Sequence, residues 1–220
     1  MKVRHLLALA AATLLCGCSS QTSIWSQYVQ VVRASYRNWS GQGVVPMEQA
    51  AAIPYASLAY RLNGGSEAML VLATDANGDQ LWTAASRVVF QTHDGRIRRS
   101  VGLPHDLGGL VPLAQESLPP PAQALRGSYS GSRIADFPDI GVHDMRLNCV
   151  TAAKGRQIVT ILGTALVTIR IDETCESRTP RWSFTDSYWV DADSGFVWQS
   201  RQHLHPSGTV VQVKILRPPE

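Results

Sequence analysis

His203 and His205 stand two positions apart in a run that alternates like a β-strand, so both imidazoles would point to one face and could share a metal ion. No third ligand is identifiable nearby, and two histidines at a wet hairpin tip account for the same pattern. Asp186, Asp191 and Asp193 could supply the acid and base of glycoside hydrolysis, but that chemistry needs a carboxyl pair at a set spatial separation. Asp193 is better read as a turn former in Asp193-Ser194-Gly195. Gly127-Ser128-Tyr129-Ser130-Gly131 has the outline of a serine-hydrolase elbow, with Tyr129 where the nucleophile belongs. Arg96, Arg98 and Arg99 follow a hairpin turn and could contact an anionic sugar polymer, although a solvated strand face explains them better. The residues therefore give no catalytic set, no metal site and no cofactor site.

The cysteines carry more information. Lys2 and Arg4 precede an apolar run from Leu6 to Leu15, and Leu15-Cys16-Gly17-Cys18 follows. A basic start, a short apolar stretch and a small residue before a cysteine form a lipoprotein-type signal peptide over residues 1–17, too short to span a bilayer. Cys18 is the expected lipidation site, which tethers the chain to a membrane through acyl chains such as palmitate. Ser19 follows, not Asp, which favours the outer membrane and its periplasmic face. Cys149 and Cys175 remain. In an oxidising compartment they are expected to pair as a disulfide closing a 26-residue separation, worth about 3–4 kcal/mol by chain entropy. The alternative is two unpaired core thiols.

Composition narrows the class further. Without residues 1–17 the chain keeps 18 basic and 17 acidic residues, and so lacks the basic excess of a nucleic-acid binder. The remaining 203 residues are enough for one domain with a full core.

The elements that would position these residues are mostly strands. Residues 18–22 read as a lipidated tether, and 23–220 as a single β-rich domain. From Ser23 to Ser40, Trp25, Tyr28, Val29, Val32, Tyr36 and Trp39 recur every three or four positions, which predicts one N-terminal helix ending near Gly41. Met47 to Ala52 could add a single helical turn stopped by Pro54. Strands are then predicted at 55–62, 68–74, 80–84, 88–92 and 96–101, separated by Asn63-Gly64-Gly65, Asn77-Gly78 and Asp94-Gly95. Residues 102–139 hold six prolines and read as a long connection. Strands resume at 143–153, turn at Lys154-Gly155, and continue at 157–162, 165–174, 182–191, 196–205 and 209–216. The fold class is mainly β: an antiparallel meander forming a barrel-like or sandwich domain.

Pro54-Tyr55-Ala56-Ser57, Leu70-Val71-Leu72-Ala73, Leu81-Trp82, the block from His93 to Leu107 and the block from Tyr188 to Gln202 together resemble the YjbF/GfcB lipoproteins of exopolysaccharide and group 4 capsule operons. The resemblance runs from about Ile24 to Pro219. It implies a β-rich outer-membrane lipoprotein that works beside polysaccharide-export proteins, or on the polysaccharide itself, as a non-enzymatic accessory factor. It supplies no catalytic residues. A periplasmic polysaccharide-modifying enzyme and a lipid or glycolipid carrier are the alternative readings.

Overall fold

The computed structural model describes residues 43–113 and 117–219. The predicted signal peptide, Cys18, the tether and the helix expected over 23–40 lie outside these residues. A short helix, α1 (Met47–Ala51), precedes twelve strands: β1 (Ser57–Leu62), β2 (Glu67–Ala76), β3 (Asp79–Thr83), β4 (Val89–His93), β5 (Arg96–Val101), β6 (Gly109–Pro112), β7 (Tyr129–Phe137), β8 (Val142–Ile161), β9 (Thr164–Arg178), β10 (Arg181–Asp191), β11 (Val197–His205) and β12 (Thr209–Arg217).

They form one antiparallel sheet in the order β5-β4-β3-β2-β1-β12-β11-β10-β9-β8-β7-β6. The outer strands β5 and β6 come together, and Ser100 donates its backbone N–H to the Leu107 carbonyl at 3.0 Å, so the sheet is a nearly closed barrel rather than a sandwich. Asp106 shapes the closing loop by accepting from the Ser100 hydroxyl and from the amides of Gly102 and Leu103. Closure gives the two edge strands a neighbour in place of an exposed ladder.

Period-two alternation then sorts the side chains. Leu58, Tyr60, Leu70, Trp82, Phe90, Leu147, Val211 and Val213 fill the lumen. On the outer face, Ala59, Met69 and Val71 are covered by Val45, Ala50 and Ile53 of the α1 region. The predicted turns lie at the strand junctions, and Asn63, Gly64, Asn77, Gly78, Asp94 and Gly95 all take positive φ, which is why Asn, Asp and Gly stand there.

Two expectations change. Lys154-Gly155 is not a turn: β8 runs unbroken through it, and the extra residue is absorbed as a register shift between Ala153 and Gly155. The proline-rich stretch 102–139 is also more than a connection, because it supplies β6 and the nine-residue β7, a strand paired along its length with β8. Its prolines fall mainly outside these strands, at their ends and in the 3-10 turns Pro121–Arg126 and Pro138–Ile140.

Because the chain is a meander, successive turns lie at alternate ends of the barrel. The β1–β2, β3–β4, β5–β6, β7–β8, β9–β10 and β11–β12 connections share the first end. The β2–β3, β4–β5, β6–β7, β8–β9 and β10–β11 connections share the second.

Candidate functional site

Charged side chains that point inward meet in the lumen. Arg96 at the start of β5 donates through Nε to Glu173 Oε2 on β9 at 3.1 Å. Arg133 on β7 reaches Glu173 Oε1 at 2.7 Å and Asp186 Oδ2 on β10 at 3.5 Å. Thr151 donates its hydroxyl to Glu173 at 3.3 Å, and His203 donates its backbone N–H to Asp186 at 2.7 Å. Two arginines thus face two carboxylates, and the cluster is neutral as a unit. Glu173 is completely buried. Burial works against its carboxylate, but Arg133 and Arg96 outweigh that and hold its pKa below the usual range. For Asp186 the balance goes the other way: burial raises its pKa despite the hydrogen bonds from His203 and the attraction of Arg133.

The first end of the barrel holds a second cluster. Asp139, between β7 and β8, accepts from His105 Nδ1 at 2.9 Å and from His205 Nε2 at 3.0 Å, and the two imidazoles stack with centroids 5.0 Å apart. One ligand atom from each of the three residues lies within 4.8 Å of the others, close enough to hold a metal ion. The hydrogen bonds argue otherwise. Ser207 donates its backbone N–H to His205 Nδ1 at 3.0 Å, so the ring proton sits on Nε2, the atom that would have to bind the metal. The cluster is a clasp joining three connections. His105, then His205, hold the Asp139 carboxyl below the usual range through these hydrogen bonds.

A well of about 390 Å³ opens at the second end. Its rim is Gly78, Asp94, Ser194 and Pro120, its walls include Gln80, Phe196, Trp198 and Gln199, and its floor reaches Trp82 and Ile97. Phe196 and Trp198 meet edge to face, with centroids 4.8 Å apart. The well persists because the β4–β5 hairpin is pinned to β11: Gln202 donates to the Gly95 carbonyl at 2.9 Å and accepts from the Ile97 amide at 2.9 Å. Aromatic faces beside amide and carboxylate groups suit a ligand that is apolar on its ring faces and polar at its edges, as a sugar is.

The structure separates the residues singled out from sequence. His203 and His205 do not share a ligand, because a register shift between them turns His203 to Asp186 and His205 to Asp139. Asp186 is buried among arginines. Asp191, not Asp193, is the side chain that closes the β10–β11 turn, accepting from the Ser194 amide and hydroxyl at 2.8 Å each. Arg96 is buried against Glu173 and so does not lie on a solvated face, while Arg98 approaches Asp79 at 3.6 Å and Arg99 is exposed. Tyr129 opens β7 and donates its hydroxyl to the Pro120 carbonyl at 2.6 Å. Cys149 and Cys175 are directly opposite in the β8–β9 register and are joined by a disulfide, with both residues buried. Sequence reasoning missed Arg133 and Glu173, since one lies in the proline-rich stretch and the other in a run rich in acids. It also missed Phe196 and Trp198, which read only as the apolar half of a strand.

Residues 40–216 match the family described as group 4 capsule polysaccharide lipoprotein GfcB, YjbF. The uncharacterized lipoprotein GfcB of Escherichia coli K12 is 27% identical over 218 residues, covering 98% of this chain and 99% of the relative. The uncharacterized lipoprotein YjbF of the same organism is 29% identical over 158 residues, 69% of this chain and 70% of its own length. The crystal structure of the hypothetical lipoprotein YmcC from Escherichia coli K12 superposes with a TM-score of 0.70 at 25% identity, over 92% of this chain and all of that one. The family match spans most of the barrel and every residue of the lumen cluster, so this chain belongs to the YjbF family of group 4 capsule polysaccharide lipoproteins.

Proposed function

We propose that this lipoprotein is an accessory factor in the secretion or assembly of a capsular polysaccharide or exopolysaccharide, acting by binding and without catalysis. Acyl chains on Cys18 hold it at the periplasmic face of the outer membrane, beside export proteins. The observation that carries the reading is the well at the second end, where Trp198 and Phe196 stand with Gln80, Gln199 and Asp94 around a space open to solvent. Apolar walls with a few polar groups at the rim are the usual make-up of a small-ligand site, and sugar rings stack on aromatic faces. The ionisable groups that might have served chemistry are instead committed to one another inside the lumen. The family description, which names a capsule polysaccharide, supports the choice of ligand.

The test pairs a cell experiment with a binding experiment. Deleting the gene should reduce surface polysaccharide, and the Cys18→Ala protein should leave the outer-membrane fraction. Titration calorimetry with fragments of the host polymer should show binding by the wild type, weakened about tenfold or more by Trp198→Ala, a loss of about 1.4 kcal/mol. Undiminished surface polymer in the deletion strain would overturn the reading.

A further inference from the structure

The well at the second end is deep and closed below. Gly78 stands at its rim and Trp82 on its floor, four residues apart along the chain, a depth of about 10–13 Å for a tilted strand. Under the floor the lumen is filled. Tyr60 and Phe90 lie two residues further down β1 and β4 than Leu58 and Thr92 of the well. Both are buried, and their rings meet edge to face with centroids 5.2 Å apart. Val211 is likewise two residues beyond Val213 on β12 and is completely buried. The opening that Tyr60, Leu62 and Val88 line at the first end is thus walled off from the well.

The polar groups deep in the well are already committed to one another. Trp82 donates its indole N–H to the Thr92 hydroxyl at 2.9 Å, and Thr92 donates to Gln80 Oε1 at 3.3 Å. Gln202 is engaged by Gly95 and Ile97. Nearer the mouth, Trp198 holds its ring in place by donating to Asp191. Asp94, on the rim, is the one charged side chain among the described residues that line the well, and its carboxylate is nearly half exposed.

This shape restricts how a polymer enters. An internal sugar carries chain on both sides, and both would have to leave by the mouth through which it came. A terminal sugar carries chain on one side only. About 390 Å³ is near the small end of ligand pockets and holds roughly one or two sugar rings. An anionic terminal residue would bring its charge past Asp94 into an apolar interior with no cation to meet it.

We propose that the well is a socket for the uncharged terminal sugar of a glycan chain, entered end-on, with Phe196 and Trp198 against its ring and Asp94 accepting from its hydroxyls at the mouth. The proposal rests on the well being a glycan site, and adds that the protein recognises polymer ends and not repeats. One lipoprotein then engages one chain end, whatever the length of the chain.

Titration calorimetry on the full mature lipoprotein in detergent, with size-sorted fragments of the host polymer, tests this. Affinity per chain should stay within about threefold from short fragments to long ones, at one protein per chain. Blocking the reducing end by reductive amination, or trimming the non-reducing end with an exoglycosidase, should weaken binding about tenfold or more in one of the two cases. Fragments whose recognised terminal sugar is oxidised to the uronate should bind about tenfold more weakly. Asp94→Asn should recover most of that loss, since asparagine suits the positive φ of this turn position as well as aspartate does. Stoichiometry that rises with chain length would overturn the socket while leaving the glycan reading standing. Fragments altered at either end that bind as well as intact ones would do the same. If no fragment binds at any length, the glycan reading itself falls and takes the socket with it. Equal binding of uronate-ended and neutral fragments to the wild type would overturn the requirement for an uncharged end.

Discussion

Arg96 and Glu173 are 77 positions apart in sequence and form a buried ion pair across the lumen, with Arg96 Nε 3.1 Å from Glu173 Oε2. The pair links the start of β5 to β9, strands that are not neighbours in the sheet. Removing Arg96 leaves Glu173 and Asp186 to share Arg133, so the buried cluster carries one uncompensated charge. Arg96→Met should therefore cost about 3–5 kcal/mol. Arg96→Met combined with Glu173→Gln should cost less than the sum of the two single changes, because Arg133 and Asp186 remain as a neutral pair. Urea midpoints at unchanged m-value measure both effects.

The two lumen carboxylates should give opposite pH dependences. Glu173 has a lowered folded-state pKa, so its stabilisation is present above the ordinary glutamate value of about 4.3 and is lost as pH falls through the folded value. Asp186 has a raised one, so its contribution is complete below the ordinary aspartate value of about 3.9 and is lost as pH rises through the folded value. Glu173→Gln should flatten the loss of melting temperature in acid. Asp186→Asn should instead steepen the gain as pH rises from the aspartate value, since the opposing group is gone. Melting curves across that range distinguish the two.

Cys149 and Cys175 face each other across β8 and β9, with Cα atoms 4.1 Å apart, and close a 26-residue separation. The double change Cys149→Ala, Cys175→Ala should lower stability by about 3–4 kcal/mol in the chain-entropy description. Both sulfurs are buried, so a reductant should act on the wild type mainly through unfolding. Reduction rates followed in increasing urea should rise with the unfolded fraction. A fast rate in native buffer would contradict this burial.

Gly95 has φ +77°, and a Cβ there would stand 2.6 Å from Val197 Cβ and Cγ2, inside a β-branched side chain whose Cβ cannot rotate out of the way. Gly95→Ala combines left-handed strain with overpacking and should cost about 2–4 kcal/mol. Since this hairpin shapes the well, the same change should weaken the glycan binding proposed for it more than Gly64→Ala does, where the added Cβ meets nothing within 4 Å. Calorimetry on the two variants makes the comparison.

The strands with apolar alternation and Asn-Gly or Asp-Gly ends could be read from the sequence because both signals are local. β7 could not. Its inward positions include Gly131 and Arg133, so the strand carries a charge where a period-two reading looks for an apolar residue. The lumen cluster is hidden for a related reason: Arg96, Arg133, Glu173 and Asp186 come from four strands, and only barrel closure brings them together. Local charge patterns assign such residues to solvent, as happened with Arg96. The disulfide was legible because, with Cys16 and Cys18 assigned to the signal and its anchor, Cys149 and Cys175 are the two cysteines left to pair, whereas the well depends on where Phe196 and Trp198 turn after the Ser194-Gly195 bend.

His105, Asp139 and His205 offer the three-ligand grouping that most resembles a metal centre among the described residues, and zinc tests whether it is one. Zinc needs the lone pair of an imidazole nitrogen, with the other ring nitrogen donating to an acceptor. At His205 the arrangement is reversed: Nδ1 receives the Ser207 N–H, and Nε2 donates to Asp139. Binding would require breaking the Ser207 contact and turning a completely buried ring that also packs against Phe137 at 4.9 Å. Addition of zinc at micromolar concentrations should leave the melting temperature unchanged, and His105→Ala should not alter that response. A zinc-dependent rise abolished by His205→Ala would mean that the ring flips and the clasp is a metal site.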